Sequence, residues 1–292
     1  MPVSIPGLDG ALADILGPRV RSADPLAGGT NHRVSLVTRV DGSRLVVKST
    51  TDLPADVFDA EAEGLAALGG SGAIDAARVV AVGPGFLVLE ELRPTPPLED
   101  SNFWARTGRE LAHLHERRGE RFGWHRDNWL GLVRQVNPWT EDCYEFFVRH
   151  RIMRYLPEPH VTAVLDARDR AGIERIGDRL PDLVPPSYPA LTHGDLWPGN
   201  VLATADGVPV LIDPAVSWSW PEVDLSMMLR GRAPEAFFAG YQEIRPLDPG
   251  WRDHFALLHL RELLSVLAHG ELLPGAPDWA VPEVRELIRR FG

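Results

Sequence analysis

β-Branched and apolar residues crowd Val34 to Val40 and Arg44 to Lys48, on either side of the turn pair Asp41-Gly42. That pattern predicts two strands joined by a tight hairpin. In the following FDAEAEGLAALG, apolar Phe58, Ala62, Leu65 and Ala66 recur at helical spacing, and Gly69-Gly70 supplies a stop. Arg78 to Val82 and Phe86 to Leu89 read as a further strand pair around Gly83-Pro84-Gly85. Three prolines within Arg93 to Pro97 forbid helix and resist a central strand, and the hinge is placed there. Beyond it, helical patterns cover Leu98 to Glu116, Asp142 to Leu156, Val161 to Leu180, Pro234 to Ile244, Trp251 to His269 and Pro282 to Arg290. Short strands are expected only at Ala190 to Thr192, Val201 to Ala203 and Val208 to Ile212. The expectation is an α+β chain: a sheet-rich N-terminal lobe over residues 1–92, a hinge at 93–97 and a mainly helical lobe over 98–292.

Composition narrows the partners. The 292 residues are 44% apolar with nine Trp and ten Phe, enough for a substantial core. A formal charge of -11 repels nucleic-acid phosphates and anionic lipid surfaces, which favours cationic or neutral substrates. The lone Cys143 asks for no oxidising compartment and, with no activating base nearby in sequence, reads as an inert buried thiol. Neither a secretion signal nor a membrane-length apolar run is evident, so a cytoplasmic protein, a monomer by default, is expected.

The stretch LTHGDLWPGNVLATADGVPVLIDPA carries the chemistry. Asp195 and Asn200 stand five apart, and Asp213 follows across a predicted hairpin. Phosphoryl transfer needs a carboxylate to orient and deprotonate the attacking hydroxyl, and oxygen ligands for magnesium ions on the phosphates. Asp and Asn are also common turn residues, so the pair alone leaves both readings open. Asp213 tips the balance, because it ends the apolar strand VPVLID, where a carboxylate needs a cation or donor. Upstream, Lys48 closes LVVK and Glu61 lies on the next helix, in the order of a phosphate-gripping lysine and its orienting glutamate. Gly28-Gly29-Thr30 precedes the hairpin, either as a backbone approach to phosphate or as a plain turn. These features imply a kinase-like, two-lobed enzyme using ATP and Mg2+.

The sequence resembles the fructosamine kinases, also called ketosamine-3-kinases or protein-ribulosamine 3-kinases, within the aminoglycoside phosphotransferase-like kinases. HGDLWPGN, the block Phe122 to Ile152, and IDPAVSWSWPEVDLSMM followed by AFFAGYQ carry the resemblance. It implies Asp195 as base, Asn200 and Asp213 as magnesium ligands, Lys48 on the nucleotide phosphates and Glu61 as its partner. It further implies backbone contacts to adenine from Glu90 and Leu92, and Asp224 as a support of the catalytic loop. The implied acceptor is a ketosamine, free or protein-bound, phosphorylated at its 3-hydroxyl with release of the amine. Val216-Ser217-Trp218-Ser219-Trp220, Ser49 and Arg134 depart from the family pattern and point to a remodelled acceptor pocket. Another amine-bearing acceptor, such as an aminoglycoside, and a non-catalytic nucleotide-binding regulator are the alternatives. Trp197 and Trp218 could wall a sugar ring or simply pack in the core. Gln135 and Asn137 could bind acceptor hydroxyls or stabilise a cap on the lobe. His113 and His115, two apart on a helix, point to different sides and do not read as a metal pair.

Overall fold

The computed structural model describes residues 15–16, 20–26, 32–50, 54 and 56–292. Gly28, Gly29 and Thr30 lie outside the described residues.

Strands β1 (Val20–Pro25), β2 (Arg33–Arg39) and β3 (Arg44–Ser49) open the chain. The β2–β3 turn forms as expected: Gly42 takes φ 84°, and the Asp41 carboxylate accepts from the Ser43 amide at 2.9 Å. Helix α1 (Val57–Gly69) follows, then β4 (Asp75–Ala76), β5 (Val79–Gly83) and β6 (Phe86–Glu90). The antiparallel sheet runs β1-β2-β3-β6-β5. Alternation puts Val37, Leu45, Val47, Phe86 and Val88 on one face and Leu87 and Leu89 on the other, against Val57, Phe58 and Leu65 of α1. The short β4 leaves this sheet and pairs in parallel with the strand Pro209–Leu211.

Beyond the proline-rich segment, α2 (Ser101–His115) starts where the Asp100 side chain accepts from the Phe103 amide at 3.1 Å. A hairpin, β7 (Asn128–Leu130) and β8 (Val133–Gln135), precedes α3 (Cys143–Phe147). The single helix expected over Asp142 to Leu156 ends early: after α3 the backbone widens into a π turn at Val148–Ile152 and then tightens at Met153–Tyr155. The run Val161 to Leu180 also divides, into α4 (Pro159–Val164) and α5 (Ala167–Leu183), because Asp166 caps a new helix in a reciprocal box with Asp169. Strands β9 (Ala190–Thr192), β10 (Val201–Ala203), β11 (Pro209–Leu211) and β12 (Ser217–Ser219) surround the loop 193–200. Helices α6 (Pro221–Arg230), α7 (Glu235–Ile244), α8 (Trp251–Leu258), α9 (Leu260–Ala268) and α10 (Ala276–Phe291) complete the fold. Strand β12, hairpin β7–β8 and helix α6 have no counterpart in the predicted pattern, and the break at His259 divides what reads as one helix from Trp251 to His269.

Closest approach occurs where α2 crosses α7. A Cβ on Gly108 would collide with the Phe237 carbonyl, and one on Gly240 with the Ala105 carbonyl. Two backbones therefore touch directly, which only glycine permits. The principal core lies among these helices, around Trp104, Phe146, Tyr155, Trp220 and Leu264. Among the described residues no helix is long and apolar enough to cross a membrane.

Candidate active site

Three elements distant in sequence meet around Lys48. Register on β3 buries its side chain, and the ammonium donates to Glu61 Oε1 of α1 at 2.6 Å and to the Asp213 carboxylate after β11. Burial alone would lower the Lys48 pKa, but the two carboxylates outweigh it and hold the ammonium above its ordinary range. One lysine shared by two carboxylates leaves an excess negative charge. Burial, helped by Asp213, pushes Glu61 up to about 7 against the pull of Lys48. Asp213 stays below the usual carboxylate range, because Lys48 overcomes the opposing effect of burial.

Asp213 has φ 56°, left-handed for a non-glycine residue, and Pro214 follows it. Asp tolerates this region better than most side chains, at a cost of roughly 1–3 kcal/mol. The turn leaves the half-exposed Asp213 carboxylate in contact with Lys48.

The loop between β9 and β10 is held from beneath by Asp224 of α6. Its fully buried carboxylate accepts from the His193 amide at 2.7 Å and the Gly194 amide at 2.8 Å. His115 Nε2 lies 3.2 Å from the same carboxylate, and His115 Nδ1 lies 2.9 Å from the Tyr241 hydroxyl. Burial pushes His115 below its ordinary pKa, so a neutral ring donates to Asp224. His193 accepts from the Asp195 amide at Nδ1 (3.1 Å), which leaves Nε2–H to donate to the Ile212 carbonyl at 2.8 Å. Gly194 takes φ 81° against the Ala215 carbonyl, where any side chain would collide.

Asn200 donates through Nδ2 to the Asp195 carbonyl at 2.8 Å, and its own carbonyl accepts from the Ile212 amide at 3.1 Å. Asp195, Asn200 and Asp213 are thus tied into one unit. Among the described residues, no hydrogen bond engages the Asp195 carboxylate. Burial, followed by the negative charge of Glu262, pushes that carboxyl well above its ordinary range.

The other expected residues divide. The Glu90 amide donates to the Arg78 carbonyl at 3.1 Å, its carboxylate accepts from the Arg78 amide, and Leu92 is half-buried just past β6. Trp197 is 48% exposed and folds over Gly199. Trp218, half-buried, packs on Gly119 and on Trp124, with ring centroids 6.2 Å apart. Gln135 and Asn137 are buried and fully committed. Gln135 donates to Asn128 and the Ala215 carbonyl and accepts from Arg261, while Asn137 donates to Arg126 and Asn128 and accepts from Arg151. These contacts occupy both N–H donors of each amide and one acceptor site on each oxygen, and with the burial of both residues they match the bracing alternative: a cross-brace under the site. His113 is exposed and His115 buried, and burial raises the Cys143 thiol, in keeping with an unreactive sulfur. Arg261 and Glu262 went unnoticed in the sequence. Their signal is an adjacent charged pair inside the Leu-rich run LLHLRELLSVL.

The family model for fructosamine kinase matches residues 11–275. The chain belongs to the fructosamine kinase family. It is accordingly an ATP-dependent kinase of the fructosamine-3-kinase type. A probable ketoamine kinase of Synechocystis sp. is 37% identical over 243 residues, 77% of this chain and 78% of that protein. The crystal structure of a candidate fructosamine-3-kinase of Thermobifida fusca superposes with a TM-score of 0.82 at 30% identity, covering 98% of this chain and all of the other. An aminoglycoside phosphotransferase structure, 16% identical, shares the fold with a TM-score of 0.66 over 97% of this chain and 99% of its own. The fold of this fructosamine kinase family member is therefore the α+β, aminoglycoside phosphotransferase-like kinase fold.

Proposed function

We propose that the enzyme phosphorylates a sugar hydroxyl of a ketosamine, an amine glycated by glucose or ribose, and so initiates release of the amine. The observation that carries this reading is the joining of two clusters at one site. Lys48, Glu61 and Asp213 form one, and Asp195 and Asn200, suspended from Asp224, form the other. In this reading residues 1–92 form the nucleotide side, 93–97 the hinge and 98–292 the acceptor side, in the cytoplasm.

Lys48 grips phosphate oxygens, and Glu61 keeps its ammonium aimed. Glu90 and Leu92 offer backbone groups to the adenine edge. Asp195 orients the acceptor hydroxyl and takes its proton as the oxygen attacks the γ-phosphorus in line. Its raised proton affinity suits that task. Asn200 and Asp213 are the residues to hold magnesium: both present hard oxygen donors, and Asn200 commits its Nδ2 to Asp195, which leaves Oδ1 for a cation. Mg2+ bound there would neutralise the charge that builds on the transferring phosphoryl group. The exposed Trp197, two residues beyond Asp195, offers an indole face to the sugar ring.

The test is incubation with MgATP and fructosyllysine or ribulosyllysine, following ADP release and a sugar 3-phosphate signal by phosphorus NMR. Turnover that Asp195→Asn abolishes is the expected result. A folded sample giving neither signal rules this acceptor class out.

A further inference from the structure

The block Trp124 to Asn137 supplies none of the charges around Lys48, yet it bonds to both elements that bring carboxylates there. Toward α1 it presents three polar side chains in a row. Trp124 Nε1–H donates to Glu63 Oε1 at 2.8 Å, and His125 Nε2 lies 2.8 Å from the same oxygen. Arg126 Nη1 lies 3.6 Å from Glu63 Oε2, while Nη2 donates at 3.2 Å to Asp56, the residue from which α1 starts. Trp129 of β7 packs into the apolar cluster around Val57, Phe58 and Leu65 of the same helix.

The other end of the block is fastened to the chain just past Asp213. Asn128 Nδ2 donates to the Val216 carbonyl at 2.7 Å, and Gln135 Nε2 donates to the Ala215 carbonyl at 3.0 Å. Asn128 and Gln135 face each other across the β7–β8 hairpin, and Asn137 donates both to the Arg126 carbonyl at 3.1 Å and to Asn128 Oδ1 at 3.0 Å. All three amides are buried. Asn137 therefore links the stretch that holds Glu63 to the residue that holds Val216. Between these anchors α1 rests on the same segment: a Cβ on Gly64 would come within 3.0 Å of Pro214 Cγ.

Glu61 and Glu63 are two residues apart on α1 and so point to different sides. The first turns to Lys48 and the second to the block. A helix is rigid over so short a span, so fixing Glu63 fixes where Glu61 stands. At the far anchor, Ala215 and Val216 follow the left-handed Asp213, a conformation that persists only where its surroundings over-determine it. The pair to the exposed His125 adds little in water, which leaves the Trp124 indole as the main tie.

We propose that Glu63 is a positioning residue: docked on the block Trp124 to Asn137, which is itself anchored at Ala215 and Val216, it holds α1 so that Glu61 and Asp213 meet at Lys48. This rests on the reading of Lys48 as the residue that grips the nucleotide phosphates, and it assigns the block to the nucleotide side of the reaction.

The experiment titrates the magnesium complex of a non-hydrolysable ATP analogue into wild type, Glu63→Ala, Lys48→Met and the double variant by calorimetry, beside melting temperatures and KM values for ATP and fructosyllysine. Glu63 is partly exposed, so its variants should fold. Glu63→Ala should raise the nucleotide Kd and the KM for ATP roughly fivefold, with the KM for fructosyllysine within about twofold of wild type. Glu63→Gln keeps an oxygen for Trp124 and should recover part of the affinity, while Trp124→Phe, which loses only the N–H, should share the defect. Added to Lys48→Met, Glu63→Ala should cost nothing further, because it acts through that lysine. A lower melting temperature with an unchanged nucleotide Kd, an equal rise in both KM values, or additive losses in the double variant overturns the inference. Weaker nucleotide binding in Lys48→Met but not in Glu63→Ala defeats the role of Glu63 and upholds that of Lys48. An unchanged Kd in Lys48→Met defeats both. The nucleotide titration needs no acceptor, so failure of fructosyllysine as a substrate leaves this test standing.

Discussion

Asp195, half-buried, and Asp224, fully buried, are acids on neighbouring elements, yet their surroundings assign them opposite duties. Asp224 accepts two backbone amides and faces His115, and these partners hold its carboxyl below the ordinary range although burial opposes them. Asp224→Ala would leave both amides and the imidazole without an acceptor in the core. A loss of about 3 kcal/mol is expected, read as a lower urea midpoint, with activity falling as the loop loosens. Asp195 has no such partners. Asp195→Asn should lower kcat by roughly 10²–10⁴-fold without loss of melting temperature, because the neutral amide avoids burying a charge. A lower melting temperature in that variant would show the carboxylate to be structural. The types and order of Lys48, Glu61, Asp195, Asn200 and Asp213 are legible in the sequence because each sits at a recognisable strand end, helix face or turn. The saturation of Gln135 and Asn137 is not, since their partners Arg261 and Arg151 come from other elements.

At the level of elements, the hairpin β2–β3 and helix α1 follow from local rules, turn chemistry and apolar spacing. Where the pattern gave continuous helices, the breaks came from local caps and from packing. Asp166 caps α5 at the point where α4 ends, while the split at His259 lets α8 and α9 lean on different neighbours. The α2–α7 crossing shows how tertiary contact overrides propensity. Gly108 and Gly240 weaken their helices locally, but they allow backbone contact that no other residue would permit. Gly240→Ala should therefore destabilise by about 1–3 kcal/mol despite the better helix propensity of alanine, as read by urea unfolding. A stabilised variant would show that the crossing can widen freely.

Across the whole molecule, stability and ligand binding join the two halves. Lys48 from the sheet and Asp213 from the helical part both face the nucleotide site in the proposed reading. MgATP at 100 times its Kd should stabilise the protein by about 2.7 kcal/mol. The corresponding rise in melting temperature should shrink markedly in Lys48→Met and Asp213→Asn. Acid should act in the opposite direction. Burial holds His259 down to about 3, with nearby Arg230 and Arg261 adding to the shift. A depressed histidine contributes stability that is fully present above the unfolded value near 6.5 and is lost as pH falls toward the folded value. At pH 5.5 the loss from His259 alone is about 1.4 kcal/mol, and His259→Gln should remove that part of the difference between urea curves at pH 7.5 and 5.5. The sequence by itself determined the α+β succession and the residues of the HGDLWPGN loop and their order, because short-range periodicity and spacing encode local geometry. Only the tertiary structure decided which charges share a site, since Lys48 and Asp213 are 165 residues apart and Gln135 and Arg261 are 126 apart. No local pattern specifies such pairs: they follow from how buried faces pack.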